Sequence, residues 1–141
     1  VDLADQRFRH RVLGLAGGRG VRVVGVIAIP LRTGNGLNGR EHWRARSRRV
    51  KAERETVAWG LKKVQAPLPP CCVVLTRLGP SRGLDDDNLA GSLKAVRDQV
   101  ADWLGIDDRH SDLVRYRYAQ RRAKDWAVTI EFREEACEQQ S

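Results

Sequence analysis

Three prolines within four residues, Pro67, Pro69 and Pro70, divide this chain into parts that no continuous helix can join. Upstream of them, Glu41 to Val64 carries Trp43, Val50, Val57, Leu61 and Val64 at spacings of seven, four and three, the period of an amphipathic helix. Downstream, the apolar run Cys71 to Leu78 reads as a strand closed by a turn over Gly79 to Gly83. Val21 to Pro30, rich in Val and Ile, reads as a buried strand stopped by Pro30, and residues 31–40 as a Gly/Asn loop. A second helix starts near Asp87, keeps Leu89, Leu93, Val96, Val100 and Trp103 or Leu104 on one stripe, and stops at Gly105. Residues 113–120 and 126–133 predict two strands joined around Arg121 to Asp125 as a hairpin. The expected order is β-α-β-α-β-β: an α+β fold, a single domain with two main helices on a mixed sheet.

The 141 residues suit one domain with its own core. Residues 1–20, with Gly17-Gly18-Arg19-Gly20, read as a flexible arm; 21–133 form the folded domain; 134–141 form a polar tail. No apolar run approaches the ~18 residues of a membrane span, and the N-terminus lacks a signal-peptide layout, so a cytoplasmic location is expected. Cys71, Cys72 and Cys137 are odd in number and lack C-x-x-C spacing, which argues against a disulfide framework or zinc site. Cys71 and Cys72 read as small core residues on opposite faces of a strand. Trp43, Trp59, Trp103 and Trp126 read as core or dimer-interface residues.

Charge narrows the function. The chain has 26 Lys+Arg against 18 Asp+Glu, a formal net charge of +8. The densest basic stretch holds Arg40, Arg44, Arg46, Arg48, Arg49, Lys51 and Arg54, and a second group is Arg121, Arg122 and Lys124. Arg is the better fork for phosphate, so these groups are candidate DNA contacts; the alternative is a solvated helix face.

Against this background, Asp85-Asp86-Asp87 and Asp107-Asp108 stand out. Clustered carboxylates in a polyanion-binding protein need neutralising, and Mg²⁺ does this with one or two carboxylates while leaving room for phosphate oxygens. Asp85 and Asp87, two apart in an extended approach, point the same way. A straight helix at ~100° per residue would put Asp87, Gly91, Lys94 and Asp98 together opposite the apolar stripe. Asp before a helix is also a good N-cap, which explains one or two of these residues without any metal. An EF-hand is excluded, because Leu89, Ala90 and Val96 fall where a ligand, Gly and Glu are needed.

Asp85-x-Asp87-Asn88-Leu89, Lys94-x-x-x-Asp98 and Gly105-Ile106-Asp107-Asp108 together resemble the RusA family of Holliday-junction resolvases. Asn38-Gly-Arg40-Glu-His42-Trp43-x-x-Arg46 is similar to the segment preceding that family's first long helix. The resemblance spans roughly residues 21–132. It implies a homodimeric, Mg²⁺-dependent endodeoxyribonuclease (Mn²⁺ a possible substitute) that nicks four-way DNA junctions in recombination and repair, often phage-encoded. It implies branched DNA as partner, with no membrane and no small-molecule cofactor. By motif, Asp85, Asp87 and Asp108 correspond to the catalytic, metal-holding carboxylates, with Asp107 as the alternate to Asp108. The family commonly has its lysine where this chain has Gly91, and Lys94 is the replacement in reach. Two other readings stay open: a non-catalytic DNA-binding protein, and a general Mg²⁺ nuclease without junction preference.

Overall fold

The apolar runs become strands and the helical periods become helices, in the order β1 (Val21–Ile29), α1 (Trp43–Leu61), β2 (Cys71–Gly79), α2 (Asp86–Ser92), α3 (Lys94–Leu104), β3 (Val114–Arg122) and β4 (Ala127–Glu135). These elements come from a computed structural model that describes residues 21–36, 41–107 and 109–135. The expected arm, Asn38, Arg40, Asp108 and residues 136–141 lie outside the described residues. The fold is α+β, with a mixed four-stranded sheet in the order β1-β4-β2-β3. β4 is antiparallel to β1 and β2, and β3 runs parallel to β2. No helix among the described residues is long and apolar enough to cross a membrane.

Alternate residues of a strand share a face. One face gathers Ile27, Ile29, Cys71, Val73, Leu75, Val128, Ile130 and Phe132, and Val57, Leu61, Leu89, Leu93, Val96 and Val100 of the helical segments close over it. Each such side chain stabilises the fold by about 1.5–3 kcal/mol when fully buried. Cys72, neighbour of the core residue Cys71, is also buried and points to the other face.

Three expectations change. The second helix is not continuous: Leu93 leaves the helical region (φ −98°, ψ 5°) and separates α2 from α3. Its N–H is shared between the Leu89 and Ala90 carbonyls at 3.1 and 3.2 Å. The break coincides with an anchor, a 2.5 Å hydrogen bond between the Ser92 and Thr33 hydroxyls. Leu89, Leu93 and Val96 stay in the core across it, so the apolar period hides the interruption.

The expected β3–β4 hairpin is absent, because β2 lies between the two strands. The link over residues 123–126 arches across the end of β2, where Ala123 N–H donates to the Gly79 carbonyl at 2.8 Å. The Trp126 ring occupies the place of a Cβ at Gly79, so only glycine fits there. Short connections usually mark paired neighbours, but here β2 ends level with β3, Gly79 opposite Arg122, and the link crosses over that end to reach β4.

α1 starts later than expected, with His42 as N-cap accepting from Arg44 N–H through Nδ1 at 3.1 Å. Trp43 and Trp59 are exposed (64% and 68%), against the core expectation, while Trp103 packs on Phe132. Glu53 is buried on the core-facing side instead.

Candidate functional site

The loop entering α2 is held on two sides. Gln120 on β3 accepts from Leu84 N–H through Oε1 at 2.8 Å and donates to the Leu84 carbonyl through Nε2 at 2.5 Å. Gly83 adopts φ +108°, a conformation costly for any side chain, and a Cβ there would meet the Gln120 carboxamide at 3.0 Å. From the other side, Gly36 (φ +70°) sits directly on the Asn88 carbonyl, with no space for a Cβ. The segment that follows β1 therefore touches the first turn of α2, at Asn88.

Asp85 is the N-cap of α2. Its Oδ1 accepts from Asn88 N–H at 2.9 Å and from Asn88 Nδ2 at 2.8 Å, so the capping role anticipated for an Asp here is filled. Asp86 and Asp87 follow in the first turn, exposed, where the helix dipole favours negative charge. Asp107 lies beyond α3. It accepts from Arg109 N–H at 3.0 Å and from the Arg109 guanidinium at 3.0 and 3.2 Å. Among the described residues no three His, Cys, Asp or Glu groups gather to hold a metal, so Asp85, Asp87 and Asp107 do not converge within one chain. Asp87 lies inside α2, so the same-side placement expected of Asp85 and Asp87 in an extended approach does not hold; each still offers the hard oxygen donor that Mg²⁺ takes from protein.

Lys94 opens α3 and pairs with Asp98 at 2.9 Å. Both line a crevice of about 270 Å³ with Gly36, Gly91 and Ser92, facing Arg46, Arg49, Val50 and Glu53 of α1. Gly91, Lys94 and Asp98 thus stay together as expected, whereas Asp87, one turn before Gly91 in α2, does not line this crevice. Asp98 and Asp107 share a neighbouring crevice of about 460 Å³ with Arg54 and Asp102.

The basic stretch divides in two. Arg44, Arg46, Arg48 and Lys51 are exposed, with the Arg44 guanidinium over the Trp43 ring at 5.1 Å. Arg49 is engaged internally: Nε and Nη2 donate to Glu41, and Nη1 donates to Glu53 at 2.6 Å. Those hydrogen bonds hold the Glu41 carboxyl below its ordinary pKa, while burial pushes Glu53 above it despite the same arginine. Arg54 ties α1 to α3 through Asp102 and Gln99. Arg121, Arg122 and Lys124 are exposed at the far end of β3 and on the arch that follows.

One residue escaped the sequence reading. Arg77 lies on β2 with 4% exposure, on the face of Val73 and Leu75. It donates to Thr33 Oγ1 at 3.3 Å and Ser81 Oγ at 3.4 Å, and stacks over Trp126 at 4.8 Å, with Arg32 over the same ring at 4.6 Å. Burial, and then the Arg32 charge, push its pKa below the ordinary arginine value. The signal was available: a lone Arg at a core-facing position of an apolar strand. No protein-family model matches this sequence, and no curated protein matches it.

Proposed function

We propose that this chain is a Mg²⁺-dependent endonuclease of the RusA type, acting on four-way DNA junctions as a homodimer. The observation that carries the reading is the contact of Gly36 with Asn88 in the first turn of α2, the turn that also holds the exposed carboxylates Asp86 and Asp87, together with the exposed arginines of α1. That pairing suits an enzyme that must both attract a phosphate backbone and neutralise carboxylates with a cation. The preference for junctions rests on the motif resemblance.

In this reading Asp85, Asp87 and Asp108 hold Mg²⁺. The bound ion supplies polarisation of the scissile phosphate and a lowered pKa for the attacking water. Lys94 stabilises charge developing on the phosphoryl oxygens. Arg44, Arg46, Arg48 and Lys51, with Arg121, Arg122 and Lys124, hold the DNA arms by phosphate contacts that position without reading sequence. An antiparallel pairing of the α2–α3 segment across a dimer axis would bring the Asp107-Asp108 pair of one protomer to the Asp87 of its partner.

The cap formed by Asp85 favours a second reading, a DNA-binding protein whose carboxylates serve the fold. Synthetic junction, flap and duplex DNA incubated with the protein, with and without Mg²⁺ or Mn²⁺, separate the possibilities. Metal-dependent nicking confined to the junction is the expected result. Binding without nicking selects the second reading, and equal cutting of all three substrates selects a general nuclease.

A further inference from the structure

We propose that a pocket between the ends of β2 and β3 holds a phosphate group of the DNA backbone, next to the one attacked at the acidic site. The pocket is lined by Arg77, Ser81, Arg82, Gln120, Arg121 and Arg122, with Gly79 and Gly83. Four of these side chains are guanidinium groups and none is a carboxylate. Its volume of about 120 Å³ is well below the ~300–1,000 Å³ of sites that enclose a whole drug-sized ligand. A single tetrahedral oxyanion is an occupant of suitable size and charge.

Arg77 makes the case. Removing a guanidinium from water is costly unless a counter-charge goes with it. Elsewhere this chain provides one: Arg49, Arg54 and Arg133 are each ion-paired with a carboxylate. Arg77 is more deeply buried than any of these, and its described partners are two hydroxyls and an indole ring. Another arginine, Arg32, stacks on the same indole and adds to the unfavourable charge. A phosphate would supply the negative charge that Arg77 lacks, and arginine's fork suits its oxygens.

The position identifies the phosphate. Gln120 clamps Leu84, which fixes the Ser81–Gly83 wall of the pocket and the approach to Asp85 as one rigid piece. Gly83 and Asp85 are two residues apart, at most ~7 Å along the chain. A backbone phosphate in the pocket would therefore set the register of its neighbour against the carboxylates. The DNA origin of the phosphate rests on the function proposed above; the anion site itself does not.

Two measurements, neither needing metal, test the proposal. Inorganic phosphate titrated at constant ionic strength into ¹⁵N-labelled protein should shift the Arg77 Nε–H and Gly83 amide signals saturably. The double variant Arg82→Gln/Arg122→Gln, altered at exposed positions, should bind phosphate about tenfold or more weakly, since a hydrogen bond between charged groups is lost at each site. No saturation, or equal affinity in the variant, overturns the anion site. In the second measurement, single methylphosphonate linkages are placed one at a time along the strand to be cut. One neutral linkage beside the scissile position should weaken wild-type binding and leave the double variant indifferent. If every linkage affects both proteins alike, the pocket is a site for free phosphate and the assignment to DNA is overturned. Failure of the nuclease reading would appear separately, as junction binding without metal-dependent cleavage.

Discussion

Gln120 grips both backbone groups of Leu84, accepting from its N–H at 2.8 Å and donating to its carbonyl at 2.5 Å. A strand at one edge of the sheet thereby fixes the loop that delivers Asp85 to its capping position. Gln120→Leu should cost about 1–3 kcal/mol, because two part-buried backbone groups lose their partner. Urea denaturation reads the loss, and hydrogen exchange at the Leu84 amide should accelerate well beyond that of β2. Unchanged exchange at Leu84 would mean the clamp does not hold the loop.

Arg48 and Arg49 are adjacent in sequence and should behave oppositely. Arg49 bridges Glu41 and the buried Glu53, so Arg49→Ala should destabilise the fold by about 1–3 kcal/mol. Arg48 is exposed, and Arg48→Ala should leave stability within about 0.5 kcal/mol. In DNA binding it should lower the slope of log K against log salt by about 0.9, the share of one phosphate contact. Denaturation curves and salt titrations of both variants check the contrast.

Glu53 and Glu41 should give opposite pH dependences. Burial raises the folded-state pKa of Glu53 above 4.5, so the folded chain holds that proton longer than the unfolded one. Its contribution is fully present below 4.5 and is lost as pH rises through the raised value. The wild type should therefore lose stability relative to Glu53→Gln across that window. Glu41, lowered by its hydrogen bonds to Arg49, contributes stability above 4.5 that is lost as pH falls through its folded value. Denaturant titrations of both Gln variants at closely spaced pH values would expose a wrong sign in either case.

Much of this fold could be read from residue periods and punctuation. Gly105 closed α3 in the left-handed conformation, and the four strands lie within two residues of their expected bounds, whereas α1 ends at Leu61, before the expected Val64 and ahead of the prolines. What the periods could not carry was strand order. A four-residue arch over Gly79 and a two-strand turn look alike until the Trp126 ring is seen covering that glycine. The break at Leu93 was equally hidden, because it coincides with a hydroxyl pair, Ser92 with Thr33, and leaves the apolar pattern unchanged. At the candidate site, the helix start at Asp85–Asp87 followed from the sequence. The internal use of Arg49 rests on local partners, Glu53 at i+4 and Glu41 eight residues away, while the partners of Arg77, Thr33 and Trp126, come from distant segments and only its place on an apolar strand signalled its burial.

Lys94 forms the i,i+4 pair with Asp98, an arrangement that by itself would be catalytically silent. If Lys94 also acts on the transition state, Lys94→Ala should slow cleavage by about 10²–10³ with little change in junction affinity. Asp98→Asn, which releases the lysine, should not reproduce that loss. Single-turnover rates on a preformed junction complex check both. A Lys94→Ala rate near wild type would remove Lys94 from the catalytic role.

If the carboxylates at the start of α2 make this chain a metal-dependent nuclease, nicking depends on Asp87. Single-turnover nicking of a synthetic four-way junction in saturating Mg²⁺, measured for wild type and Asp87→Asn with junction affinity determined in parallel, tests it most directly. Asp87 is exposed in the first turn of α2, so its substitution leaves the Asp85 cap in place. The expected results are nicking by the wild type, none by Asp87→Asn, and junction binding retained or tightened in the variant. Substantial nicking by Asp87→Asn, or a wild type that binds the junction without cutting it in Mg²⁺ or Mn²⁺, would contradict it.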